Sequence, residues 1–147
     1  MEFNLFQFIG LFILIAGYII GLGAVTVIDL HGFLGRNSPY WTEATIRTHK
    51  ITKPLIWAGT VLSIIGAFIF YETPFIYYHL IIFFFLVLNG LFLSFVVSPY
   101  LIKKEKQGKS KELLPMSFQY KITASFLVSF AGWWGSLLIL IYSLLIK

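Results

Sequence analysis

The longest stretch without a charged side chain spans residues 73–102 and reads TPFIYYHLIIFFFLVLNGLFLSFVVSPYLI. Its length exceeds the ~20 residues that a helix needs to cross the ~30 Å hydrocarbon core of a bilayer. Backbone N–H and C=O groups find no water in that core, so a helix, which pairs them internally, is the expected form. A spanning strand would be about ten residues long and would alternate in polarity, which this stretch does not do. The stretch therefore predicts a transmembrane helix.

Three further stretches lack Asp, Glu, Lys and Arg, namely residues 3–28, 54–71 and 122–146. The first is longer than the roughly 7–15 apolar residues of a signal peptide and has no basic amino end, so we expect it to remain as a helix. We thus expect an all-α fold, an integral membrane four-helix bundle in which residues 1–147 form a single transmembrane domain. The predicted helices span about residues 4–28, 54–71, 75–101 and 117–146.

The composition also favours a membrane protein. Hydrophobic residues make up 59% of the chain and charged residues 12%, whereas a soluble domain carries about 25% charged residues. The chain therefore has too little polar surface to cover a soluble fold. It contains no cysteine, which excludes disulfides, thiolate metal sites and thiol catalysis.

The basic side chains are concentrated in segments 29–53 and 103–116. By the positive-inside rule these segments are cytoplasmic, which places both termini outside the cytoplasmic (inner) membrane. The net charge of +5 then indicates attraction to anionic lipid head groups, so the bilayer is the expected partner and nucleic acid is not. A homo-oligomer or a membrane protein partner is left open. The basic residues of the two segments are Arg36, Arg47, Lys50 and Lys53, and Lys103, Lys104, Lys106, Lys109 and Lys111.

The segment after helix 1 contains a shorter helix signal. Ser38-Pro39 is a good helix start, because serine caps the first N–H groups and proline at the first helical position loses no hydrogen bond. Residues 40–53 are amphipathic, and Glu43 and Arg47 are spaced for an i,i+4 ion pair. We therefore expect a short cytoplasmic interfacial helix between helices 1 and 2, with Pro54 starting or kinking helix 2.

Each predicted helix carries small residues three or four positions apart, which places them on one face. Such faces let helix backbones approach closely, which stabilises helix pairs in lipid. The opposite faces are rich in Phe, Leu and Ile and should meet lipid. The small residues are Gly10, Gly17, Gly21 and Ala24 in helix 1, Gly59, Ser63 and Gly66 in helix 2, Gly90, Ser94 and Ser98 in helix 3, and Ser125, Ser129, Gly132 and Ser136 in helix 4.

The densest group of polar side chains lies in segment 29–53. Its length favours a function, since connections between adjacent helices usually have only a few residues. We hypothesise a ligand-binding site there, in which the six side chains converge on one cytoplasmic pocket and a carboxylate pairs with an arginine. The alternative is a solvated interfacial hairpin held by surface ion pairs. Whether the group binds a metal stays unknown. The six residues are Asp29, His31, Arg36, Glu43, Arg47 and His49.

Three features inside the apolar stretches could also carry chemistry. His79 is a functional candidate because ionisable groups inside membranes are rare, although beside Tyr77 and Tyr78 it could belong to the interfacial aromatic belt. Asn89 should form a hydrogen bond with a neighbouring helix. The Trp133-Trp134 pair lies too deep for an aromatic belt, so it should serve packing or line a cofactor site or pore.

The chain resembles small four-helix bacterial membrane proteins grouped near the CopD-type copper-resistance proteins and the HemJ-type protoporphyrinogen oxidases. The resemblance rests on the four short helices, on Thr52-Lys53-Pro54-Leu55-Ile56-Trp57-Ala58-Gly59 at the start of helix 2, and on Ser98-Pro99-Tyr100-Leu101 at the end of helix 3. It implies a haem- or porphyrin-linked redox protein, with His79 as the candidate haem ligand. The HemJ-type proteins place a histidine in helix 1 and a lysine in helix 3, and the predicted helices 4–28 and 75–101 contain neither at those places, so no catalytic residue is carried over.

The leading hypothesis is a small polytopic membrane protein, without a cofactor, that binds a partner, lipid or small ligand through segment 29–53. The haem-linked redox protein is the first alternative. A small transporter or channel subunit is the second, since Asn89, His79 and a few serines could line a polar path. The sequence contains no Gly-rich phosphate loop, metalloprotease His-Glu motif or Ser-His-Asp set, and whether the protein is an enzyme stays undecided.

Overall fold

The computed structural model describes residues 4–71 and 75–146, and within them the chain folds into four long helices. Each helix is long and apolar enough to cross a membrane. Helices of 30 to 32 residues rise about 1.5 Å per residue and so exceed a hydrocarbon core of ~30 Å. The prediction of an all-α fold with four such helices is confirmed. The helices are α1 (Leu5–Leu34), α2 (Pro39–Phe70), α3 (Phe75–Lys106) and α4 (Met116–Leu145).

The predicted interfacial helix is not a separate element, and helix 2 does not begin at residue 54. α2 is continuous from Pro39 to Phe70 and contains Pro54 in its interior. Thr42, Ile46 and His49, on the first half of α2, are buried in the bundle. This packing offsets the one helical hydrogen bond that Pro54 removes, because a tertiary contact along several turns outweighs a single lost bond.

The connection between α1 and α2 is tight, because both helices are longer than the sequence indicates. α1 continues to Leu34, so Asp29 is helical although helix 1 was predicted to end at about residue 28. The predicted start at Ser38 is confirmed: its Oγ accepts a hydrogen bond from the Trp41 N–H at 3.5 Å. The hydroxyl of Thr42 donates to the carbonyl oxygen of Gly35 at 2.8 Å and so fastens the end of α1 to the start of α2.

Small residues let α1 and α2 pack backbone against backbone, as their spacing predicts. A Cβ atom added to Gly17 would lie only 2.8 Å from the carbonyl oxygen of Gly59 and 2.6 Å from the backbone nitrogen of Ser63. A Cβ atom on Gly66 would lie 2.6 Å from Cα of Leu14. Side chains larger than hydrogen therefore cannot be accommodated along this seam without separating the helices.

α4 joins the bundle through Trp133, whose ring packs over Gly21 of α1. The ring is 1% exposed and lies edge-on to Tyr18 at 6.1 Å and to Phe83 at 6.4 Å between centroids. Trp133 therefore belongs to the core formed by α1, α3 and α4, which agrees with the packing alternative for the tryptophan pair. Trp134 faces outward and is 42% exposed.

α3 has an irregular turn near its carboxyl end. The α-helix Phe75–Phe92 passes through a π-helical stretch, Leu93–Val97, into the α-helix Ser98–Lys106. The Ser98 N–H donates to the carbonyl oxygen of Leu93, five residues earlier. Pro99 follows directly and has no N–H to donate. The switch between π-helical and α-helical hydrogen bonding therefore falls next to a residue that already interrupts the α-helical pattern.

The predicted loop that starts at Lys103 begins later, because residues 103–106 are helical. Lys104 is buried and its Nζ donates to the carbonyl oxygens of Glu112 at 2.7 Å and Leu113 at 3.0 Å. This side chain holds the 107–115 connection against the end of α3. Burial of a lysine is tolerated here because two acceptors satisfy its ammonium group.

Candidate ligand cavity and buried histidine network

A cavity of about 100 Å³ lies near one end of the bundle and is lined by side chains from all four helices. We call this end the basic end: α1 and α3 finish there, α2 and α4 start there, and it carries the basic segments. The cavity is large enough for several water molecules or for a small polar group. Its wall includes the polar side chains of Asp29, His49, Lys53, Ser98 and Ser125.

His49 forms a rigid part of the cavity wall. Its Nδ1 lies 2.9 Å from the carbonyl oxygen of Ile46 and its Nε2 lies 3.0 Å from Oγ of Ser98. Because a carbonyl oxygen only accepts hydrogen bonds, Nδ1 of His49 carries a proton, and Nε2 shares a hydrogen bond with the serine hydroxyl. The histidine thereby connects α2 to α3 at the end of the π-helical stretch.

Asp29 and Ser125, two residues of the cavity wall, each contain a buried polar atom without a hydrogen-bond partner in the described part of the chain. Within residues 4–71 and 75–146, Oδ2 of Asp29 and Oγ of Ser125 are buried and have no hydrogen-bond partner. Both residues line the cavity. Buried polar atoms in native proteins almost always have a partner, so atoms without one require an explanation. These two atoms are the strongest sign of a binding site in the described structure.

The irregular part of α3 also lines the cavity. Leu93 and Ser94, from the π-helical stretch, line it together with Trp57 of α2. Nε1 of Trp57 donates to Oγ of Ser94 at 3.2 Å, and the indole ring lies against Gly90, where an added Cβ atom would be 3.2 Å away. Single π-helical turns inside α-helices occur frequently at functional sites.

A second, smaller cavity of about 40 Å³ continues toward the middle of the bundle. It shares Asp29 and Trp57 with the first cavity and reaches Asn89, Ser129 and Trp133. Nδ2 of Asn89 donates to Oγ of Ser129 at 2.9 Å and to the carbonyl oxygen of Ser125 at 3.1 Å. The predicted interhelical hydrogen bond of Asn89 is therefore present, and it connects α3 to α4.

A surface groove opens beside the first cavity, between α2 and α3. It shares Lys53, Ser94 and Ser98 with the cavity and continues past Ile102. Its rim carries three lysines, Lys53, Lys103 and Lys106. The groove therefore has a cationic rim, and the cavity beside it contains the carboxylate of Asp29.

The six residues predicted as a site do not converge on one pocket. Of these six, Asp29 and His49 line the cavity in the described part of the chain. Glu43 and Arg47 form the expected ion pair at 2.7 Å, but the arginine is 72% exposed, so it is a surface i,i+4 pair on α2. The six side chains do not meet because α1 and α2 are continuous helices, and a helix directs side chains at different positions to different faces.

The remaining two of the six have other neighbours. The guanidinium carbon of Arg36 lies 4.3 Å above the ring of Phe33, and Arg36 lines a separate small pocket with Gln119. The ring of His31 lies against Trp41, with 5.1 Å between centroids. Their role in binding stays a prediction.

His79 lies at the other end of the bundle and is fully buried, not part of an interfacial belt. Its Nδ1 lies 2.7 Å from Oγ of Ser136 and its Nε2 lies 2.8 Å from the hydroxyl of Tyr71. Tyr18 forms a short hydrogen bond with Ser136, and Ser143 donates to the hydroxyl of Tyr71 at 3.4 Å. These five side chains form a network that spans α1, α3, α4 and the residue after α2.

The network satisfies His79 within the protein. Both ring nitrogens have hydroxyl partners, and the ring stacks on Tyr71 with 4.5 Å between centroids. Ligation of a haem iron by His79 would require one of these hydrogen bonds to break. Within the described residues, no group of three or more His, Asp or Glu side chains could hold a metal ion. The geometry is that of a polar network that orients four elements in an apolar core.

Lys53, Ser98 and Ser125 line the cavity although they are not among the predicted site residues. The small-residue spacing places the two serines on packing faces, and they do lie on buried helix faces. One sequence feature indicated this second role. Each serine is the residue of its small-residue face that lies nearest to a basic segment, and a serine there can line a polar cavity as well as pack. Without the helix register, packing and lining serines look alike in a sequence.

Comparison of the chain with protein-family models, with curated proteins and with solved structures gave no match.

Proposed function

We propose that this chain is a membrane-spanning binding protein that holds a small ligand, or the polar part of a lipid, in the cavity at its basic end. The observation that carries the proposal is the pair of buried atoms in the cavity wall, Oδ2 of Asp29 and Oγ of Ser125, that lack a hydrogen-bond partner among the described residues. Segment 29–53 contributes Asp29, His49 and Lys53 to this wall. Within segment 29–53 we therefore assign the binding role to these three residues.

The energetics favour occupation of the cavity. A buried polar atom without a partner costs about 1–3 kcal/mol, and more when it carries charge. A ligand that donates hydrogen bonds to Asp29 and Ser125 recovers this cost at both atoms. His49 and Ser98 are already bonded to each other, so they hold their positions before the ligand arrives, which lowers the entropic cost of binding.

We propose that the protein lies in the cytoplasmic (inner) membrane with the basic end in the cytoplasm and both termini outside. The basic residues of segments 29–53 and 103–116 support this orientation through the positive-inside rule. The cavity then lies close to the cytoplasmic head groups. Asp29 is five residues before the end of α1 at Leu34, which corresponds to roughly 7–8 Å along the helix axis.

The test is a cavity-filling substitution with a matched control. Ser125→Leu places a larger apolar side chain in the cavity and should expel the ligand. Ala124→Leu adds a similar side chain at the next position, which is exposed on the outside of α4, and should leave binding unchanged. Native mass spectrometry of protein purified in a mild detergent measures the mass of what stays bound.

We expect a bound mass in the wild type and in Ala124→Leu, and its loss in Ser125→Leu. Thermal unfolding of each variant checks that the bundle stays folded. A wild-type protein that carries nothing and gains nothing when membrane lipids are added back would refute the proposal, as would equal retention by the folded Ser125→Leu variant.

Transport is a second candidate function. Two adjoining cavities support it, because together they lead from the basic end to Trp133. Beyond Trp133 lies Tyr18, which belongs to the His79 network. A polar path would therefore need Trp133 to move aside. Proton or solute flux into liposomes that contain the purified protein tests this candidate, and flux equal to that of empty liposomes would reject it.

A further inference from the structure

We infer that the ligand is a phospholipid whose head group carries a primary amine, with the phosphate bound by the lysines of the groove and the ammonium group bound by Asp29. This inference rests on the proposed function and names the chemical class of its ligand. It follows from the layout of charge: a carboxylate in the cavity, lysines on the rim, and Lys53 in both.

The rim lysines are available for a phosphate. Among the described residues, the ion pairs engage Lys50 with Glu105 at 2.6 Å and Lys104 with Glu112 at 3.9 Å. These pairs leave Lys53, Lys103 and Lys106 unneutralised in the part of the chain that the structure describes. A lysine ammonium group is an effective partner for a phosphate, which it binds as a point charge.

The cavity selects for a cation that can donate hydrogen bonds. A buried carboxylate is costly without a positive partner, and Oδ2 of Asp29 has none among residues 4–71 and 75–146. A primary ammonium group has three N–H donors, enough for both Asp29 and Ser125. A choline head group has no N–H, and a glycerol head group has no positive charge, so each satisfies the cavity less well.

The surface beside the groove indicates a lipid rather than a soluble amine. The groove lies between α2 and α3, which are both long and apolar enough to cross a membrane. Phe95 on α3, next to Ser94 of the groove wall, is 75% exposed. An exposed apolar surface next to a cationic rim suits a molecule with acyl chains outside and a charged head group inside.

The test measures affinity for three phospholipids with the same acyl chains and with ethanolamine, glycerol or choline head groups. Native mass spectrometry follows binding to the full chain in detergent. For the wild type we expect the ethanolamine lipid to bind about tenfold more tightly than the other two, which corresponds to about 1.4 kcal/mol. Asp29→Asn keeps the shape of the side chain but removes its charge, and it should abolish this preference.

Lys53→Gln should weaken binding of all three lipids, because each carries the phosphate. Lys111→Gln, in the exposed 107–115 connection, is the matched control and should bind like the wild type. Soluble phosphoethanolamine at the same concentration should not compete. Equal competition by this compound would overturn the assignment to a lipid.

The head-group inference and the proposed function can fail separately. If the wild type binds the three lipids equally and Asp29→Asn changes nothing, while Ser125→Leu still expels lipid, the head-group inference is wrong and the binding function stands. If Ser125→Leu binds every lipid as the wild type does, the proposed function fails and the inference fails with it.

Discussion

Replacement of Gly21 by leucine tests the contact between Gly21 of α1 and Trp133 of α4. A Cβ atom at Gly21 would lie 2.8 Å from Cζ2 and 2.9 Å from Cζ3 of Trp133. Carbon atoms reach their favourable separation at about 3.5–4.0 Å, so the ring has to retreat by roughly 0.7 Å to relieve the Cζ2 contact alone. Cη2 of the ring would lie closer still, so the full displacement is larger. The remaining atoms of leucine need further space.

Trp133 has little room to retreat. The ring is 1% exposed, and the rings of Tyr18 and Phe83 border it. Overpacking of a well-filled core costs typically about 1–3 kcal/mol, and we expect the upper end here because the obstacle is a rigid ring. At about 2–4 °C per kcal/mol for a chain of this size, the midpoint of thermal unfolding should fall by roughly 6–12 °C.

Gly23→Leu is the matched control for this substitution. Gly23 lies two positions further along α1, and a Cβ atom there would meet nothing within 4 Å among the described residues. The assay is thermal unfolding in detergent, followed by intrinsic tryptophan fluorescence. Equal unfolding temperatures for Gly21→Leu and Gly23→Leu would refute the claim that the small-residue face of α1 packs against Trp133.

Two further predictions concern the histidine network and the topology. Tyr71→Phe removes the hydroxyl that bonds Nε2 of His79 and should destabilise the protein by about 1 kcal/mol, whereas Tyr78→Phe, at an exposed position, should not; equal unfolding temperatures would contradict the network. In a chain without cysteine, a single cysteine at Ser110 should react with an impermeant reagent only from the cytoplasmic side and one at Ile146 only from outside; labelling of Ser110 in intact cells would overturn the orientation.

The architecture could be predicted from the sequence because its cause is local. Uncharged stretches such as residues 73–102 have one stable form in hydrocarbon, a helix that pairs its own backbone groups. The glycine spacing likewise indicated the α1 face that packs, since residues three and four apart share a helix face. Asn89 was correctly predicted to join neighbouring helices, because an amide in an apolar helix needs an interhelical partner.

The helix ends could not be predicted in the same way. Pro54 indicates a break when only local rules are applied, yet α2 passes through it. Likewise, Asp29 and His31 look like a polar exit, yet α1 includes both. In each case packing between the first half of α2 and the rest of the bundle outweighs a local preference, and that packing depends on residues far away in the chain.

Residue type and short-range spacing are enough to predict four apolar helices, two basic segments and small-residue faces. Which polar residues meet depends on the tertiary structure. It separated Glu43 and Arg47 from Asp29 and brought Ser125 from α4 to the cavity that Asp29 lines. The physical reason is that a helix directs each side chain by its register, and the register of one helix against another is set by packing along their whole length.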